Sequence, residues 1–212
     1  MIDPENLDGV QIRDALVRQW EAIADAVPEI DLDLASRLGG WRNREVLAHL
    51  YVQPFMLSRF LKTASHQVPS TQLLENLSST QSYRELIDVS AREGAEKGKY
   101  NFGVALEATL PDLFDADLDT TITTLQGSIP LVDYLVTRCI EAVVHGGDLV
   151  PPVDPDQIAE AITASALKRL LAVRSAHLLS EAEGLPVGDW IAVATGRKQA
   201  SGDLAAAVPL MS

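Results

Sequence analysis

The sequence predicts a mainly α protein: an antiparallel four-helix bundle with a short β-hairpin before the fourth helix, a fifth helix and a small C-terminal appendage. Three observations carry this prediction. Apolar residues recur at intervals of three and four along much of the chain, the period of amphipathic helices. A stretch rich in Thr and Ile from Thr120 to Leu125, followed by Gln126-Gly127, carries the strand-and-turn signal. No internal repeat or low-complexity tract interrupts the pattern, and short connections between helices favour antiparallel neighbours.

Over about residues 7–27, Val10, Ile12, Leu16, Trp20, Ile23 and Val27 form the apolar side of the first helix. Gly39-Gly40 marks a loop, after which Asn43 can cap a second helix running through Val46, Leu47, Leu50, Phe55 and Leu57 to about Lys62. Pro54 should bend that helix one turn beyond His49, because its ring and missing N–H disturb the preceding turn. Residues 64–79 are rich in Ser, Thr and Gln and read as a surface connection. A third helix follows, capped by Thr80 or Ser82, with Tyr83, Leu86, Ile87 and Ala91 on its apolar side; its pattern weakens near Gly94 and Gly98. The fourth helix is expected over about 131–148. The fifth runs from Pro155, after Asp154, to about Glu181. Beyond Gly184, the run Trp190 to Thr195 suggests one short strand, and 205–212 carries too little pattern to assign. The expected division is a bundle over 1–150 and, over 151–212, a C-terminal helix and strand-containing segment packed on it.

Composition narrows the function classes. The chain of 212 residues can bury a sizeable core, and its single cysteine, Cys139, cannot form an internal disulfide. No secretory leader pattern and no span-length apolar run is present, so a cytoplasmic location without membrane insertion is expected. The net charge of −13, from 30 acidic and 17 basic side chains, repels phosphate backbones and makes nucleic acid a poor partner.

On the fourth helix, Arg138, Glu141, His145 and Asp148 are spaced three, four and three apart and therefore share one face. Leu135, Val136, Cys139, Ile140, Ala142, Val143, Val144 and Leu149 make most of the remaining circumference apolar. Buried charges are costly unless paired or coordinating a metal, and a Glu one turn before a His offers an oxygen and a nitrogen pointing the same way. The same stripe can also be the solvated face of an amphipathic helix. A metal site needs a third donor, and His49, on a mostly apolar helix, is the natural one. His66 and His177 fit the surface better. Cys139 lies about 200 degrees round the helix from Glu141 and reads as core. Arg138 is placed to pair with Glu141.

Trp41 and the run Arg42-Asn43-Arg44-Glu45-Val46-Leu47-Ala48-His49-Leu50 resemble the opening of the second helix in mycothiol-dependent maleylpyruvate isomerase-like proteins, within the DinB-like bundles. The run Arg138 to Leu149 is similar to that family's Glu-x-x-x-His-Gly-x-Asp motif, Thr121 to Leu131 to its hairpin, and Trp190 to Arg197 to its C-terminal segment. The resemblance implies a DinB-like bundle holding zinc through His49, Glu141 and His145, with open coordination positions for water or a thiol; two histidines and a carboxylate also suit iron or another divalent metal. It further implies mycothiol as thiol cofactor or cosubstrate and a small electrophilic substrate, the reaction being isomerisation or S-transfer. Asp148 would orient the metal ligands or handle a proton, and Arg197 would grip a substrate carboxylate.

Two departures bear on the substrate. The chain ends soon after Arg197, so the isomerase's C-terminal domain is represented by a short piece, and His-Gly-Gly-Asp replaces a bulkier residue before the Asp, which would alter the pocket wall. A non-catalytic metal- or ligand-binding regulator and a purely structural bundle are the competing readings. Bundles of this kind can pair helix to helix, which would make a homodimer.

Overall fold

The computed structural model of the chain describes residues 4–71, 73 and 81–211. Helix α1 (Gly9–Ala26) opens on a reciprocal cap: Gln11 N donates to Asp8 Oδ1 at 2.8 Å, and Asp8 N donates to Gln11 Oε1 at 3.0 Å. Helix α2 (Asn43–Leu61) begins where Glu45 reaches back to accept from Arg42 N at 2.7 Å, and it stays helical through the buried Pro54. Helix α3 (Gln81–Glu96) runs past Gly94, where a Cβ would press on Ala48 Cβ at 3.3 Å, so that glycine lets α2 and α3 approach closely. Gly98, with φ at +69°, then ends the helix. The expected caps Thr80 and Ser82 lie outside the described residues and side chains.

Helix α4 (Phe102–Phe114) is an addition to the predicted elements. Its buried Phe102, Ala105, Leu106, Thr109 and Leu113 follow helical spacing, but Pro111 within it and the glycines before it obscure the signal. Strands β1 (Thr121–Thr124) and β2 (Gly127–Pro130) then pair antiparallel with Ile122 opposite Ile129, both fully buried, as the hairpin prediction requires. Gly127 sits at φ +119°, a conformation that side chains disfavour. The metal-motif helix is therefore α5 (Leu131–Asp148), starting directly from the end of β2.

The last third differs from expectation in two places. Helix α6 is Gln157–Ser175, because Asp156, not Asp154, caps it: Asp156 Oδ1 accepts from Ile158 N at 2.9 Å and from Ala159 N at 3.0 Å. It leaves helical geometry at Ser175, before the 3-10 turn Ala176–Leu178 and helix α7 (Leu179–Glu183). The second difference is a correction: Trp190 to Ala194 form no strand but most of helix α8 (Val187–Ala194). A short, continuously apolar run is compatible with either structure, and packing decides. Trp190, Ile191, Val193 and Ala194 are buried, and Trp190 Nε1 donates to Ala164 O on α6 at 3.0 Å.

The core is continuous. Helix α2 packs against α3, α4 and α5, while α1 packs against α4, α5 and α6, and α8 covers α6. Trp20 meets Phe102 edge-to-face at 6.3 Å in its middle, and Leu16, Leu47, Leu50, Leu135 and Leu167 are inaccessible to solvent. Among the described residues, no helix is long and apolar enough to cross a membrane.

Asn43 joins the start of α2 to the far end of α5. Its buried side-chain amide donates to Asp31 O and Val150 O, both at 2.8 Å, and accepts from Val150 N at 3.0 Å. It is thus a tie between loops rather than the expected cap. Asn43→Ala leaves three backbone groups without this partner and is expected to destabilise the protein by about 3 kcal/mol, measured by urea unfolding at neutral pH.

Candidate metal centre

Three side chains that are 92 and 4 residues apart in sequence converge because α2 and α5 pack side by side. His49 projects from α2, and Glu141 and His145, one turn apart, project from α5. His49 Nε2 stands 2.8 Å from Glu141 Oε2, and His145 Nε2 stands 3.5 Å from the same oxygen. One ligand atom from each of the three lies within 4.8 Å of the others, the spacing a single ion can bridge. The two imidazoles meet edge-to-face at 4.8 Å.

Hydrogen bonds behind the histidine set its chemistry. His145 Nδ1 pairs with Asp148 Oδ2 at 2.9 Å, which in the neutral ring places the proton on Nδ1 and leaves the Nε2 lone pair directed at Glu141. Two electron-rich atoms then face each other, an arrangement that needs a proton or a metal cation between them. A divalent metal fits this donor set: two imidazole nitrogens and a carboxylate oxygen, one histidine held by a carboxylate.

Asp148 is 1% exposed and lies behind His145, away from the open face of the site. Arg197 grips it through two hydrogen bonds, Nε to Oδ1 at 3.1 Å and Nη2 to Oδ2 at 2.7 Å, while Arg197 Nη1 donates to Thr195 O at 2.7 Å. Hydrogen bonds therefore run from His145 to Asp148 to Arg197, which follows α8 in the chain and itself lines the cavity over the cluster.

Burial pushes the Asp148 carboxyl up, but hydrogen bonds from His145 and Arg197 more than reverse this and hold it at about 2. Burial likewise opposes ionisation of Glu141, and the hydrogen bonds of His145 and His49 outweigh it, keeping the group well below the ordinary carboxylate range. The histidines diverge. Burial lowers His49 despite its bond to Glu141, whereas for His145 the bonds to Asp148 and Glu141 overcome burial and raise it. The metal-free site thus holds the Glu141 carboxylate between one histidine disposed to be neutral and one disposed to keep a proton, while the Asp148 carboxylate is balanced by Arg197.

A cavity of about 840 Å3 opens over this cluster. Trp41, Met56, Phe60 and Tyr134 supply apolar wall, and Arg37 and Arg138 add cations. Trp41 lies over the histidines, stacked on His145 with ring centres 6.3 Å apart and 23° between planes. Its indole N–H donates to Asp88 Oδ1 at 2.6 Å, and Arg92 holds Asp88 from the same helix at 3.0 Å. Arg138 places its guanidinium 4.9 Å from the Tyr134 ring centre and donates to Thr137 Oγ1 at 3.2 Å.

Cys139 is buried, and burial pushes its thiol far up, so it is core and no thiolate. His66 and His177 are at the surface. A Cβ at Gly147 would meet nothing within 4 Å, so this glycine faces open space.

Three contributors escaped the sequence pattern. Asp88 and Arg92 belong to a different helix from the site and carry no local motif. Gln53 had a readable signal, lying four residues after His49 and hence on the same helical face. Its Nε2 is 3.2 Å from Glu141 Oε2 and 3.3 Å from His49 Nε2.

No curated protein and no solved structure matches the chain. A family profile does: the one described as the mycothiol maleylpyruvate isomerase N-terminal domain covers residues 13–150.

Proposed function

Because the chain belongs to the mycothiol maleylpyruvate isomerase N-terminal domain family, we propose that it is a DinB-like metalloprotein using mycothiol to isomerise, or to transfer the thiol to, a small electrophile. The observation that carries this reading is the convergence of His49, Glu141 and His145 at the floor of a cavity large enough for a thiol and a small substrate together. Zinc suits the two-histidine, one-carboxylate donor set. When bound, the metal supplies the positive charge that keeps a thiol sulfur as its nucleophilic thiolate at neutral pH.

The remaining work falls to residues of the chain. His49, Glu141 and His145 bind the metal. Asp148 fixes the His145 ring with its Nδ1 proton turned away from the cavity, and Arg197 in turn fixes Asp148, so both act as positioning residues. Trp41, Phe60 and Tyr134 limit water at the reacting atoms.

The test is calorimetric titration of mycothiol into zinc-loaded and chelator-treated protein, followed by turnover with mycothiol and either maleylpyruvate or a small electrophile. Binding is expected only in the loaded protein. Because metal activation contributes several kcal/mol, Glu141→Ala is expected to lower kcat/KM by at least about 100-fold. Equal thiol affinity with and without zinc would remove thiol activation from the reading, and retained zinc with no thiol binding would favour a regulatory bundle.

A further inference from the structure

Gln53 is 3% exposed, and its side-chain Oε1 meets no hydrogen-bond partner among the described residues. The other end of the same amide faces the metal cluster, 3.2 Å from Glu141 Oε2 and 3.3 Å from His49 Nε2. We propose that Gln53 is the fourth protein donor of the centre, its Oε1 joining His49, Glu141 and His145 around one divalent cation. This rests on the metal reading above and adds a ligand to it.

Spacing supports the assignment. Donors about 2.0–2.1 Å from a tetrahedral zinc stand roughly 3.3–3.4 Å apart. The separations here are 2.8 Å for His49 to Glu141, 3.5 Å for His145 to Glu141, and 3.2 and 3.3 Å from the amide to Glu141 and His49. Four of the six separations among these donors are therefore close to that spacing, and the amide accounts for two of them.

Electrostatics then selects which end of the amide faces inward. The two ends of a glutamine amide are nearly equal in shape, so local chemistry determines the orientation. Without a cation, the NH2 end can donate to Glu141. With one, the lone pairs of His49 and Glu141 are engaged, an NH2 group would direct partial positive charge at the ion, and the carbonyl end is the attracted one. Gln53 and His49 are neighbours on consecutive turns of α2, so one rigid helix presents both. A neutral amide oxygen is also the donor in this set that a soft thiolate displaces most readily, which makes Gln53 compatible with an exchangeable position.

The experiment uses the full chain loaded with cobalt(II) as a spectroscopic probe, together with zinc affinity by competition. Wild type is expected to give intense four-coordinate visible bands. Gln53→Ala should change their position and intensity and weaken zinc binding by about tenfold or more, whereas Gln53→Glu, which supplies a stronger oxygen donor at the same place, should tighten it by about tenfold. An unchanged cobalt spectrum in Gln53→Ala, or weaker metal binding in Gln53→Glu, overturns the assignment and leaves Gln53 as a hydrogen-bond donor to Glu141. Wild-type protein that takes up neither metal overturns the metal reading itself. The Glu variant decides the matter if the Ala variant fails to fold.

Discussion

Replacing His49, Glu141 or His145 singly with alanine is expected to reduce zinc from about one ion per chain to a trace in protein purified without added chelator. The effect should exceed 100-fold in affinity. Loss of a residue that merely orients a ligand already costs about 10–100-fold, and these three supply the donor atoms themselves. The three variants should behave alike, because each removes one of the donors that converge within 4.8 Å. Elemental analysis of the four proteins prepared identically is the measurement. Wild type that contains no metal and gains no thermal stability from zinc would end the metalloprotein reading, whereas metal retained in any one variant would show that the side chain replaced there is not a ligand. Each variant needs an unfolding curve alongside, since removing Glu141 also removes the partner of His49.

Asp148→Asn should act on metal affinity and on stability at once. The substitution keeps the shape of the side chain but replaces one acceptor oxygen by a donor, so it cannot accept from His145 and from both arms of Arg197 together. Zinc affinity is expected to fall by about 10–100-fold through the loosened His145 ring. In metal-free protein the folded-state carboxyl titrates at about 2 against an ordinary value of 3.8, which corresponds to about 2 kcal/mol of stabilisation. The sign follows from the folded value lying below the unfolded one. The stabilisation is complete above about pH 4 and drains away as the pH falls toward 2. Urea unfolding of both metal-free proteins should therefore show wild type more stable at pH 7 and the gap closing below about pH 4. A gap that is absent at pH 7, or that persists at pH 2, would mean that the ionised carboxylate of Asp148 does not hold this end of α5.

These two expectations have different origins in the chain. The candidate donor set is legible in the amino-acid sequence, because Glu141 and His145 sit one turn apart on an otherwise apolar helix and His49 sits on another. The role of Arg197 is only partly legible there. A basic residue near the C-terminal end of the matching segment was expected to reach the site, and it does, but its guanidinium is engaged by Asp148 and by Thr195 O. Sequence spacing carries no information about which of two buried partners a long side chain will choose.

The hairpin, the α5 boundaries and the burial of Cys139 follow from local rules: strand propensity beside a turn, and a helical period with a narrow polar stripe. Helix α4 and helix α8 do not. Pro111 breaks the pattern of the first, and the second is a short apolar run whose period is too brief to separate helix from strand. What the sequence alone determined, then, is what local period and residue chemistry can encode: the class of fold, the helices that carry the candidate donors and the chemical types of those donors on each face. What only the tertiary structure decided is convergence: the docking of α2 on α5 that brings His49 and Gln53 to Glu141, the indole over His145 held by Asp88, and the α8 packing that carries Arg197 to Asp148. Those contacts join residues far apart in the chain, and their distances are set by how buried side chains interlock rather than by any interval along the sequence.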